Sequence, residues 1–367
     1  MGLSELRIFG RSGTPISPLT LGTMNFTEGF GSEAGGVGPS TGGAASGVGP
    51  SATGAPTGAQ ESIRIINAAL DAGITAVDTA DVYSQGQSEQ VVGRALRGRR
   101  DDVFLATKFH GQMSANPAHS GNSRRWITQA VEGSLRRLQT DRIDLYQAHR
   151  PDYNTDVLET ITTLNDLIRQ GKILYYGTSV FTPAQLVEAQ WLANTNHLIP
   201  PLGNQVPYSM LVRGIERDVL PIAAQYGLGV LAYGPLAGGW LSGSFTLDSR
   251  PAAARAHSLP GRYDMSGPAS ERKLHATDAL TRLADKLEVS LVDLSVAFAL
   301  THPAISSVII GPRTEEHLAS YLAAADVRLS EEVLDAIDEV VAPGTNFVER
   351  DAGAIVPSLE FAELRRL

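Results

Sequence analysis

The strongest constraint on the fold is an alternation that begins at Glu61 and continues to Ile310, in which a helical repeat of apolar residues is followed by a short apolar run. Ile63, Ile66, Ala69 and Leu70 lie on one helical face, Gly73 closes the helix, and the apolar run 74–77 follows. The unit recurs as helix 89–96 and strand 103–107, helix 125–138 and strand 143–147, and helix 157–168 and strand 173–177. It continues as helix 183–192 and strand 202–206, helix 215–226 and strand 229–233, then two helical segments within 272–302 and strand 307–310. With a first strand at 19–24 the strands number eight. Helices alternating with strands make parallel βαβ units, and eight of them favour closure into a (β/α)8 TIM barrel over an open doubly wound sheet. No G-x-G-x-x-G follows any of these strands, so the dinucleotide fingerprint of the open sheet is missing.

Two elements flank the barrel. Residues 6–23 open with two short strands, an N-terminal β-hairpin around Arg11, Ser12, Gly13 and Thr14, before the first barrel strand, and 327–341 reads as a C-terminal helix. At 367 residues the length admits two domains or one large barrel, and the run of eight selects one barrel domain over 1–367. Within it, 31–60 holds ten glycines and three prolines and repeats GVGPS at Gly36 and Gly47. Such a stretch buries too little side chain to offset its ordering entropy, and it reads as a low-complexity insert in the loop after the first strand.

Composition excludes several function classes. A hydrophobic share of 43% supports a core, and a net charge of -9 gives no footing for nucleic acid or an anionic membrane. With no cysteine the chain has no disulfide, thiolate nucleophile or zinc ribbon. Residues 1–10 lack the basic and apolar regions of a secretory signal, and no apolar run approaches the ~20 residues needed to cross a bilayer. The expectation is a soluble, cytoplasmic protein, and its oligomeric state is not written in the sequence.

Catalysis on such barrels is built at the C-terminal ends of the strands, and four polar residues fall there. Asp78 follows the second strand, Tyr83 lies in the loop after it, Lys108 closes the third strand and His149 the fourth. Singly, each has an ordinary structural reading as a turn cap, a rim aromatic, a snorkelling lysine or a hydrogen-bonded core histidine. Jointly they form a proton-transfer set. A tyrosine hydroxyl titrates near ~10 in isolation, so a cation such as Lys108 is needed to stabilise its phenolate. Asp78 would hold the ammonium and His149 would orient the reacting oxygen. No G-x-S-x-G elbow and no H-E-x-x-H cluster is present, which leaves carbonyl polarisation with proton delivery, without a metal.

The motifs around these residues resemble those of the aldo-keto reductases. They include Leu21-Gly22-Thr23-Met24, Asp78-Thr79-Ala80-Asp81-Val82-Tyr83, Ser88-Glu89, Ala106-Thr107-Lys108, Asp144-Leu145-Tyr146-Gln147, His149-Arg150-Pro151, Gly177-Thr178-Ser179, Asn204-Gln205, Tyr233-Gly234-Pro235-Leu236-Ala237-Gly238-Gly239 and Gly311-Pro312-Arg313. They run in family order from residue 6 to about 341 and look most like the longer bacterial, aryl-alcohol dehydrogenase-like branch.

The resemblance implies NADP(H) bound across the strand ends without a Rossmann domain, and direct hydride transfer to a small aldehyde or ketone. It gives Asp78, Tyr83, Lys108 and His149 as the catalytic tetrad, with Tyr83 the general acid. Gly22, Thr23, Met24 and Asp78 would meet the cofactor, Ser179 and Gln205 its carboxamide, and Tyr233 its nicotinamide ring. Gly234, Leu236 and Gly238 would hold the pyrophosphate, and Gly311, Arg313 and His317 the adenosine 2′-phosphate. Arg313 also stands on its own chemistry, since a planar fork at the start of a helix suits a dianionic phosphate.

Two positions depart from the family pattern. Val180 stands where the family usually has Asn, and His317 and Tyr321 stand where Gln and Asn usually contact adenine. Two other functions are compatible with the resemblance: a nucleotide-sugar ketoreductase of secondary metabolism, and an NADP(H)-binding regulatory subunit like the channel β-subunits of the family.

Overall fold

A computed structural model describes residues 3–28, 57–247 and 267–353. Its centre is a closed barrel of eight parallel strands, β3 (Leu19–Gly22), β4 (Ala76–Asp78), β5 (Phe104–Phe109), β6 (Ile143–Ala148), β7 (Ile173–Ser179), β8 (Gly203–Pro207), β9 (Gly229–Tyr233) and β10 (Ser307–Ile310), with β10 pairing back onto β3. Helices α1 (Ala59–Asp71), α2 (Gln87–Ala95), α3 (Arg124–Leu138), α4 (Val157–Arg169), α5 (Pro183–Thr195), α6 (Val219–Tyr226), α7 (Pro268–Lys286), α8 (Leu291–Thr301), α9 (Glu315–Ala324) and α10 (Glu331–Val340) complete the fold. This is the (β/α)8 TIM barrel expected from the alternation.

Local chemistry sets many of the helix starts. Ser123, Asp156 and Thr182 each accept a backbone N–H with the side chain at the start of α3, α4 and α5, and Pro183 pre-sets the first turn of α5. Ser290 and Asp293 form a reciprocal capping box on α8. The apolar faces of the helices and the outward residues of the strands make one continuous core, including Ile65, Val92, Ile127, Leu164, Leu186 and Leu294.

A second, smaller cluster fills the barrel. Ala76, Phe104, Ala106, Leu145, Leu231 and Ile309 pack there with Phe9 and Ile16, which come from outside the barrel sequence. Those two belong to the hairpin of β1 (Arg7–Ile8) and β2 (Pro15–Ile16), which closes the N-terminal end. Phe9 meets Phe104 with ring centroids 5.3 Å apart. It fits because β8 and β9 begin with glycines: a Cβ at Gly203 or Gly229 would lie 2.6 or 2.4 Å from the Phe9 ring.

Several boundaries differ from the sequence reading. The helix expected over 215–226 is broken into a 3-10 turn, Gly214–Glu216, and α6, because Asp218 leaves helical geometry and its carboxylate caps Val219 N–H at 2.7 Å. Helix α9 was implied only by placing Arg313 at a helix start, and the terminal helix begins at Glu331 rather than 327. Ala59 and Gln60, assigned to the insert by composition, form the first turn of α1; residues 31–56 lie outside the described residues. No helix among the described residues is long and apolar enough to cross a membrane.

Candidate active site

The parallel strands deliver the four tetrad residues to one end of the barrel. Asp78 is the last residue of β4, Lys108 the last but one of β5, and His149 follows β6. Register pairs Asp78 with Ala106 and Lys108 with Gln147, so three neighbouring strands end side by side. Tyr83 opens the short 3-10 segment Tyr83–Gly86 after β4, and its peptide N–H is fixed on Ala80 O at 3.2 Å.

Lys108 is the hub of the site. Its ammonium donates to Asp78 Oδ2 at 2.6 Å, to Thr79 O at 2.7 Å and to the Tyr83 hydroxyl at 3.3 Å. It is 0% exposed, while Asp78, His149 and Tyr83 are 2%, 7% and 9% exposed. A buried charge this deep must be paired and hydrogen-bonded, and all three donors of the ammonium are used. Burial alone would lower the lysine, yet Asp78 and Tyr83 carry its pKa above the ordinary value.

At the phenol, burial opposes the stabilisation expected from Lys108. Burial pushes the Tyr83 pKa up, and the Lys108 charge pulls it down without overcoming the burial. Tyr83 is therefore a protonated acid at neutral pH. His149 packs edge-on against Tyr83, centroids 5.7 Å apart, and burial together with Lys108 and Arg150 drives its pKa far below the histidine norm. The imidazole is neutral, able to donate from one nitrogen and accept at the other.

The remaining expected residues are also at this end. Gly22 ends β3 opposite Asp78, and Thr23 turns inward, its hydroxyl donating to Asp78 O at 3.1 Å and sharing a 2.8 Å contact with Ser88. Met24 is half-buried beside it. Ser179 and Gln205 pair across β7 and β8, and Ser179 Oγ donates to Gln205 O at 2.9 Å. Tyr233 ends β9, and Gly234, Leu236 and Gly238 lie in the turn after it. Gly311, Arg313 and His317 lie around the start of α9 on a partly exposed edge, where the peptide N–H of His317 donates to its cap Thr314 at 3.1 Å.

Some features were not legible beforehand. Gln205, expected on a carboxamide, donates from Nε2 to Asp78 Oδ1 at 2.8 Å, and Gln147 adds a longer contact of 3.4 Å to the same oxygen. Behind β5, Glu89 is fully buried, taking Thr107 Oγ1 and Arg137 Nε each at 2.6 Å. The C-terminal stretch returns over the mouth. Arg150 Nη1 donates to Gly353 O at 2.8 Å, Lys273 pairs with Asp351 at 2.5 Å, and a Cβ on Gly353 would lie 2.5 Å from the Tyr233 hydroxyl. The basic residues at 150 and 273 gave no sign of this in sequence. Among the described residues no cluster of histidine and carboxylate could hold a metal.

Residues 41–342 match the profile of the aldo/keto reductase family. A probable voltage-gated potassium channel subunit beta of Oryza sativa subsp. japonica is 35% identical over 290 residues, covering 77% of this chain and 88% of that protein. An uncharacterized oxidoreductase, YrpG, of Bacillus subtilis (strain 168) is 33% identical over 348 residues, covering 92% and 95%. A probable potassium channel subunit beta of Arabidopsis thaliana is 32% identical over 77% and 88%.

Proposed function

Because the chain belongs to the aldo/keto reductase family, a family of oxidoreductases, we propose that it is an NADPH-dependent reductase of small aldehydes or ketones, with Tyr83 as general acid. The observation that carries this reading is the buried Asp78–Lys108–Tyr83 chain, in which one fully desolvated ammonium bonds both a carboxylate and the phenol.

The residues fit a nicotinamide dinucleotide. Gly311 lies against the Asn25 amide, whose Oδ1 is buried without a partner among the described residues, and Cβ atoms at Gly234 and Gly239 would meet nothing within 4 Å. Gly234, Leu236 and Gly238 would hold the pyrophosphate, Ser179 and Gln205 the carboxamide, and Tyr233 the ring. Bound NADPH supplies the hydride. The side chains handle the other half of the reduction. Tyr83 gives its proton to the carbonyl oxygen as the carbon takes the hydride, and the product is the alcohol. The phenolate left behind is stabilised by Lys108, which Asp78 and Thr79 O hold in place. Neutral His149, with no side-chain hydrogen bond to another described residue, would donate to the same oxygen and fix its direction.

A panel of carbonyl compounds with NADPH, followed by loss of nicotinamide absorbance, tests this. Turnover in wild type that disappears in Tyr83→Phe is expected. No turnover with any aldehyde or ketone, from protein that still binds NADPH, would overturn the enzymatic reading. That second outcome would favour a cofactor-binding regulatory subunit, a role to which the names of the plant relatives lend support.

A further inference from the structure

We propose that the groove between α2 and α3, on the outside of the barrel, is a binding site for a phosphate-bearing anion, inorganic phosphate or a small phosphomonoester. It is separate from the barrel mouth and does not depend on the reductase reading. The cavity is about 430 Å³, and its walls include Gln90 and Arg94 from α2, Arg136, Arg137 and Gln139 from α3 and its end, and Glu28 from the stretch after β3. Ligand pockets typically run from about 300 to 1,000 Å³, so there is room for a phosphate with an organic group attached.

Helical spacing makes the groove cationic. Gln90 and Arg94 are four apart, and Arg136 and Arg137 are three and four beyond Gly133, so both sets project from facing sides of the two helices. Arg94 pairs with Glu28 through Nη2 at 2.7 Å, while its Nε is buried with no partner among the described residues. Arg137 pairs through Nε with Glu89, an acid lying behind the groove and already shared with Thr107. Arg136 is exposed and has no ion pair among the described residues. Even the neutral acceptor in the wall is taken by a cation, because Gln139 Oε1 receives Arg97 Nε and Nη2 at 3.1 and 2.8 Å.

Three guanidiniums therefore line one cavity, with a single carboxylate among its walls, on a chain of net charge -9. Arg137 has room in this position because Gly86 and Gly133 carry no side chain. A Cβ at Gly86 would lie 2.7 Å from its Cδ, and one at Gly133 2.9 Å from Nη1. Glu28 and Glu89 each pair with one of the guanidiniums and Arg136 adds a further positive charge, so the groove keeps a cationic excess that favours a dianion with several acceptor oxygens. Planar forks match phosphate oxygens bidentately, and the Gln90 and Gln139 amides add neutral donors on the rim.

The test is calorimetric titration of the full chain with inorganic phosphate and, separately, with glycerol 3-phosphate, at ionic strength held constant with chloride. Wild type is expected to saturate with at least one probe, and the tighter of the two identifies the source of the phosphate. Arg136→Gln, an exposed position, is expected to weaken binding at least fivefold, and Arg94→Gln combined with it to abolish saturation while circular dichroism stays native. Arg313→Ala, at the other candidate phosphate locus, is expected to leave the titration unchanged. No saturable heat in wild type would overturn the proposal. So would binding that survives the double variant or vanishes in Arg313→Ala, which would assign the anion to the mouth of the barrel.

Discussion

The two ends of the proposed cofactor site are built on opposite principles. At the tetrad end, Asp78, Lys108 and Tyr83 are fixed by neighbouring strands and sealed from water. At the far end, Arg313 and His317 sit around the exposed first turn of α9, where Glu315 and Glu316 already place negative charge at the helix start. The first arrangement is over-determined, because moving Asp78 or Lys108 strands the other as a buried charge. The second is a surface helix start whose acids complement the dipole and work against an incoming phosphate. On the proposed reading, the chemistry would be held rigidly and the choice of cofactor would be made where single side chains can be exchanged.

The sharpest way to break that contrast is to remove one atom from the rigid end. Tyr83→Phe is expected to lower kcat by about 10²–10⁴, the scale of losing a positioned general acid, with the NADPH dissociation constant within about twofold of wild type. Steady-state kinetics and fluorescence titration check this, and retained turnover removes Tyr83 from the chemistry.

Smaller effects belong at the other end. Arg313→Ala is expected to weaken NADPH by about one to two decades, the reach of a contact worth roughly 1.5–3 kcal/mol, and to leave NADH nearly unchanged. Equal losses for the two cofactors would show that Arg313 does not read the phosphate. Two unaltered titrations would likewise remove Arg313 from the phosphate.

Val180 carries a smaller expected effect. It holds a left-handed backbone, φ 52°, at the end of β7, where a β-branched side chain is strained and Asn is tolerated. Val180→Asn is expected to raise stability by about 1 kcal/mol in denaturant unfolding and to tighten cofactor binding through the added amide. A loss of stability would mean that the valine's packing outweighs its backbone strain.

The smallest expected effect is the absence of a break. His149 stays neutral, so the pH profile of reduction should pass smoothly through about 6.5, where free histidine titrates, and fall only on the alkaline side as Tyr83 loses its proton. Stability carries the complementary sign. A histidine whose folded pKa is depressed contributes fully above its unfolded value and loses that contribution as pH falls below it, so acid unfolding of wild type should begin earlier than that of His149→Gln. Coincident acid transitions would show His149 to be solvated.

What the sequence carried and what it withheld divide along the same physical line. Asp78 and Lys108 were legible because a strand's end is a position in sequence, and parallel strands bring such positions together. The direction of the Tyr83 shift was not, since burial is a sum over neighbours from several elements. Gln205 was expected at the site, but which end of its amide is committed, and to Asp78, depends on the register of β8 against the barrel interior. The return of Glu349–Ala352 over the mouth uses long-range bonds such as those from Arg150 and Lys273, and neither periodicity nor motif encodes a contact of that kind. The break at Asp218 was hidden by an apolar pattern that continues through it.

The hairpin that carries Phe9 and Ile16 makes the barrel a cup rather than a tube. With its floor packed shut, everything that enters or leaves the proposed site crosses the same rim. On the chemistry proposed for Tyr83, the proton that recharges the phenol after each turnover arrives by the opening through which the alcohol departs. Recharging and product exit are then one event in space, and anything that narrows the rim slows both together.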